Sequence, residues 1–246
     1  MTKREPLMSK EYFDHHLITV DQFLQKTLAN MDTYTDQAGA KFDVLRDCLS
    51  LLYARYSRGY PITSLKSDFM HVLEAWEALR DADVDDVYTN SFKNDLTNYV
   101  ESVGLLSLSV LLQFDSSVIY RLLVCIRNEG QDLLFERFVA RVLGPQQRKP
   151  AKKLLYPKVY QALYDASEAP AKEQPELIHQ FLAHWYKRIK NVGWHDAHKG
   201  PKGGGFKGYW CWEAAGVALA FGIDDSSFRD LPYYPKDLAD FARTRS

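Results

Sequence analysis

The chain has 246 residues, of which 46% are hydrophobic and 13% aromatic, and a formal net charge of −1. That apolar content excludes a disordered chain and is enough to bury a sizeable core. The near-neutral balance excludes whole-chain attraction to nucleic acid or to an anionic membrane.

In chain order, residues 1–10 are polar and charged and lack the apolar core of a signal peptide. Ser9 is placed to cap a first helix, with Phe13, Leu17, Val20, Phe23, Leu24, Leu28 and Met31 at spacings of three and four. Asp36 is placed to cap a second, bearing Phe42, Leu45, Leu49, Leu52, Tyr53 and Tyr56, which stops before the breaker Gly59-Tyr60-Pro61. A third runs from about Ser64 through Leu65, Phe69, Val72, Leu73, Trp76 and Leu79, and an acidic loop follows. Ser91 is expected to cap a fourth helix, Asp115 or Ser116 a fifth, and residues 131–143 form a sixth that ends at Gly144-Pro145. The fourth and fifth are apolar around most of their circumference, which places them centrally.

Residues 145–153 are basic and proline-containing and read as a linker. The charge balance changes sign there. Residues 1–144 hold 15 Lys or Arg against 21 Asp or Glu, and residues 145–246 hold 16 against 11, giving −6 and +5. Beyond it, helices are expected over 154–166, 176–190 and 209–221, with a glycine-rich loop at 193–208 and a short terminal helix. Strand and hairpin signals are poor throughout. The expected fold is all-α, a multi-helix bundle of about nine to ten helices in two packed subdomains, 1–144 and 145–246. Cys48, Cys125 and Cys211 are odd in number and widely spaced, so they read as small hydrophobes in a reducing compartment. No run of about 18 apolar residues occurs, so the chain reads as cytoplasmic and without a membrane span.

Chemistry-bearing candidates are few. In Trp194-His195-Asp196-Ala197-His198, the side chains of His195, Asp196 and His198 have the types needed for a metal-dependent nuclease or hydrolase, but no further ligand is obviously placed. Lys199-Gly200-Pro201-Lys202-Gly203-Gly204-Gly205-Phe206-Lys207 lacks the spacing of a phosphate loop and reads as a flexible surface loop. His15 and His16 are adjacent on a helix and cannot share a face, so one is expected to be partly buried and the other solvated. Asp81, Asp83, Asp85 and Asp86 form an acidic run without the glycine and glutamate of a calcium loop, and Glu74 and Glu77 precede it. It reads as a negative patch for a basic partner. The lysines of the basic C-terminal third leave a DNA-binding regulator as another alternative, though no reading helix is apparent.

Three words near the C-terminus carry a resemblance: Gly208-Tyr209-Trp210-Cys211-Trp212-Glu213-Ala214-Ala215, then Gly222-Ile223-Asp224-Asp225-Ser226-Ser227, then Tyr233-Tyr234-Pro235-Lys236-Asp237-Leu238, with Trp185 ahead of them. Together they resemble the C-terminal domain of PoNi-type immunity proteins. The stretch Leu51-Leu52-Tyr53-Ala54-Arg55-Tyr56-Ser57-Arg58-Gly59 is similar, more loosely, to that family's N-terminal domain. The resemblance implies a mostly helical antidote that is not an enzyme and uses no cofactor. It implies a cognate nuclease toxin as partner, of a type VI or related secretion system, met in the cytosol. The motif residues read as scaffold. The toxin contact is therefore expected elsewhere, at Asp81, Asp83, Asp85, Asp86, Glu74 and Glu77. A nuclease must present positive charge to bind its substrate, and acidic side chains compete for that surface.

Overall fold

The computed structural model describes residues 2–88, 90–145 and 148–244. Among the described residues all regular structure is helical, with ten α-helices and no strand. Two compact units interleave along the chain: Met1–Thr89 with Asp196–Tyr209, and Asn90–His195 with Trp210–Ser246. These units divide the chain at other places than 144/145. The basic stretch expected as a linker is tied down instead. Gln146 and Gln147 lie outside the described residues, but the Arg148 guanidinium forks onto Glu136 at 2.7 and 2.9 Å. The Lys149 N–H donates to Glu129 at 2.8 Å, and the Leu133 N–H donates to the Lys153 carbonyl at 3.1 Å.

The first unit holds α1 (Lys10–Ala29), α2 (Gln37–Arg58) and α3 (Leu65–Ala82). Ser9 caps α1 by accepting the Tyr12 N–H, and Asp36 caps α2 by accepting that of Gly39, as the sequence indicates. The buried stripe of α1 is Phe13, Leu17, Val20 and Leu24, one residue per turn. Helix α2 packs against both neighbours and is buried on two sides. His15 is exposed, while His16 is partly buried against the Ser50 hydroxyl at 3.0 Å. Burial pushes the His16 imidazole down to about 4, so it is neutral at physiological pH.

The second unit holds α4 (Leu96–Leu111), α5 (Ser116–Ile126), α6 (Leu133–Leu143), α7 (Pro157–Glu168), α8 (Gln174–Arg188), α9 (Trp212–Phe221) and α10 (Lys236–Arg243). Helix α4 starts at Leu96, capped by Asp95, and not at the expected Ser91. The Phe92 ring between those positions is fully buried edge-on to Tyr99 and Phe135, which leaves residues 91–95 as a folded-back turn. Helices α4 and α9 lie in close contact because their facing residues are small. A Cβ on Gly216 would stand 2.4 Å from the Ser107 Cβ and 2.7 Å from its Cα. Gly216→Ala is therefore expected to destabilise by about 2 kcal/mol, because over-packing outweighs the roughly 1 kcal/mol of helix propensity gained. A urea titration would read this as a lowered midpoint at unchanged slope.

Candidate partner-binding surface

Residues 65–88 carry seven Asp or Glu against two Lys or Arg, which gives −5 on one helix and its following loop. On α3, Glu74 is exposed and Glu77 half-buried. Asp81 is exposed and accepts the Arg80 guanidinium at 2.7 Å. The loop beyond is shaped by Asp83, whose buried carboxylate accepts the Val87 N–H at 2.8 Å and the Tyr88 N–H at 2.9 Å. Asp86 takes a left-handed conformation (φ 53°) and donates its N–H to the Asp83 carbonyl. Tyr88 then anchors the loop, its hydroxyl donating to Asp36 at 3.1 Å and its ring stacked on Phe42 at 4.8 Å.

Of the six predicted partner-binding residues, Asp83 thus faces inward and closes the loop. Asp81, Asp85, Asp86 and Glu74 are presented to solvent, with Glu77 beside them. Sequence reasoning missed Val84 and Val87, which are 85% and 72% exposed at the loop tip. Apolar side chains held in water between carboxylates suit a contact surface. Their presence in so acidic a run was the available signal.

A second feature lies on the same α3. A cleft of about 440 Å³ opens among α1, α2 and α3, with Leu24, Val44, Leu51 and Ala75 in its lining and Asp21, Asp68 and Glu74 among its polar side chains. Asp68 was not anticipated. It occupies the buried stripe Leu65, Asp68, Val72, Ala75 and Leu79, where a charged residue in apolar register is the signal to read. It pairs with Arg55 through Oδ1, while burial pushes its carboxyl upward against that pairing.

The remaining candidates are used in folding. The His195 ring stacks on Tyr186 at 4.3 Å between centroids and contacts the Tyr186 carbonyl at 3.2 Å. The His198 Nδ1 is paired with the Tyr209 hydroxyl at 2.8 Å, and Asp196 accepts Lys199 at 2.9 Å. Among the described residues, no three His, Cys, Asp or Glu side chains are grouped so as to hold a metal ion. The glycine-rich loop is not the flexible segment expected. The Tyr12 hydroxyl donates to the Phe206 carbonyl at 2.9 Å, and Phe206 is buried against Phe13 and Tyr209. Gly203, at φ 84°, lies so near the Tyr12 ring that a Cβ would approach it to 2.3 Å.

The shared words are likewise structural. Buried Glu213 accepts the Trp185 indole N–H at 2.7 Å and the Tyr160 hydroxyl at 3.0 Å. Buried Asp225 accepts the Tyr234 hydroxyl at 2.9 Å and the Arg243 guanidinium.

Two family models match the chain. The model of the N-terminal part of the PoNe immunity protein (PoNi) covers residues 4–124, and that of the C-terminal part covers 130–238. A search of curated proteins finds no match. Among solved structures, the crystal structure of protein PA2201 from Pseudomonas aeruginosa is similar, with a TM-score of 0.71 at 20% identity over 99% of this chain and 93% of that one. At that identity the likeness establishes the fold. Among the described residues, no helix is long and apolar enough to cross a membrane.

Proposed function

We propose that this chain, which belongs to the PoNe immunity protein (PoNi) family, binds a cognate nuclease toxin in the cytosol and neutralises it without catalysing a reaction. The observation that carries the reading is the match of both family models, which together span residues 4–238. The surface of α3 and its loop supports it chemically. A nuclease needs a basic face for its phosphate-rich substrate, and a −5 segment with exposed Val84 and Val87 is complementary to such a face. Opposite potentials also steer fast encounter, which suits an antidote that must reach its toxin before the toxin reaches DNA.

Co-expression with the toxin-like product of the adjacent gene tests the reading. A complex that survives size-exclusion chromatography, together with restored growth, is the expected result. Absence of both would return the function to open. Within this reading the acidic loop makes contact. Asp81→Lys with Asp85→Lys is expected to weaken toxin binding about tenfold at physiological salt and to flatten its salt dependence. Titration calorimetry at two salt concentrations checks it, and an unchanged affinity would remove the loop from the interface.

A further inference from the structure

The cleft among α1, α2 and α3 holds an unresolved electrostatic demand. Asp68 is only 5% exposed, and its Oδ2 is buried without a hydrogen-bond partner. A buried carboxylate oxygen without a donor is unfavourable, and native proteins rarely leave one so. Asp21 and Glu74 stand in the same lining, while Arg55 is the one guanidinium there and is already paired with Asp68. His71 is the other titratable side chain in the lining besides the buried Cys48 thiol. Three carboxylates against one guanidinium leave the cleft attractive to a further cation. Its apolar side chains, with exposed Leu28 at the edge, match the aliphatic stem that a long cationic side chain carries behind its charge.

We infer that this cleft receives a lysine or arginine side chain from the toxin, presented on a segment with apolar residues flanking the basic one. The inference rests on the immunity reading above and names the site at which it is realised. The entering cation lies beside Arg55, is held by Asp21 and Glu74 at the mouth, and brings a donor to the Asp68 Oδ2, the oxygen that Arg55 leaves without one. A volume of about 440 Å³ accommodates one such side chain together with an apolar neighbour.

The test uses the full-length chain and the purified toxin-like product of the adjacent gene, with affinity measured by titration calorimetry. Two variants avoid the buried carboxylate, whose removal would leave Arg55 without its partner and weaken the fold itself. Asp21→Lys with Glu74→Lys reverses charge at exposed positions. Ala78→Trp, also at an exposed position of the lining, fills the cleft without changing charge. Both are expected to keep the wild-type melting temperature and to lose at least tenfold in affinity, with the charge variant also losing salt dependence. A variant of either kind that folds and binds within twofold of wild type overturns the cleft assignment and leaves the immunity reading intact. If the wild-type chain itself forms no complex with this toxin, both fall together.

Discussion

Asp132→Ala is expected to remove about 4 kcal/mol of stability, a large part of the 5–15 kcal/mol typical of a folded domain. Asp132 is 1% exposed and holds three elements of the second unit together. Its Oδ1 accepts the Tyr99 hydroxyl of α4 at 2.8 Å and caps α6 through the Phe135 N–H at 3.0 Å. Its Oδ2 accepts the Leu155 N–H at 2.8 Å, which fixes the approach to α7. Alanine leaves three donors without their acceptor, and the Tyr99 hydroxyl is fully buried, so water cannot replace it without opening the core. Asp132→Asn keeps the Oδ1 bonds but turns an amide toward the Leu155 N–H, so about half the loss is expected. Urea unfolding followed by far-UV circular dichroism measures both. A loss below about 1 kcal/mol for the alanine variant would show that the three donors find other partners.

The second large effect concerns pH. Burial pushes the Glu213 carboxyl from 4.5 up to about 7, against the favourable bonds from Trp185 and Tyr160. The folded state therefore holds this proton more tightly than the unfolded chain. Its contribution is fully present below pH 4.5, declines as pH rises, and is lost above pH 7, leaving a penalty of about 3 kcal/mol. Glu213→Gln keeps an acceptor for both bonds and never ionises. The unfolding free energy of the variant minus that of the wild type is thus expected to rise by about 3 kcal/mol between pH 4 and pH 8. Taking the difference cancels the titration of every other group. A flat difference across that range would mean that the carboxyl titrates alike in the folded and unfolded chain.

Helix identity was legible because a 3.6-residue period needs only local sequence. The α1 stripe of Phe13, Leu17, Val20 and Leu24 is buried as the spacing predicts, and the apolar α4 is buried nearly all round. Boundaries were less legible where two caps compete. Ser91 and Asp95 are both sound by local chemistry, and only the burial of Phe92 against Tyr99 and Phe135 decides between them. Loop roles were least legible, because they depend on partners far away in sequence. Nothing near Gly203 announces Tyr12, and nothing in the run of aspartates from 81 to 86 says that Asp83 alone turns inward to bind the backbone of residues 87 and 88. The carboxylate of Asp68 was readable as an out-of-place charge in an apolar stripe. Its orphaned oxygen was not, since that depends on where Arg55 ends up.

The burial of Phe206 against Phe13 bears on the order in which the protein is made. The three helices of the first unit leave the ribosome within the first 89 residues, yet the aromatic plug that completes their core is translated more than a hundred residues later. At about 5–20 residues per second, that interval is on the order of ten seconds. During it the nascent unit lacks Phe206 and the Tyr12 and Ser57 bonds to the returning loop. The first unit therefore completes its core only once the chain has been made as far as residue 206.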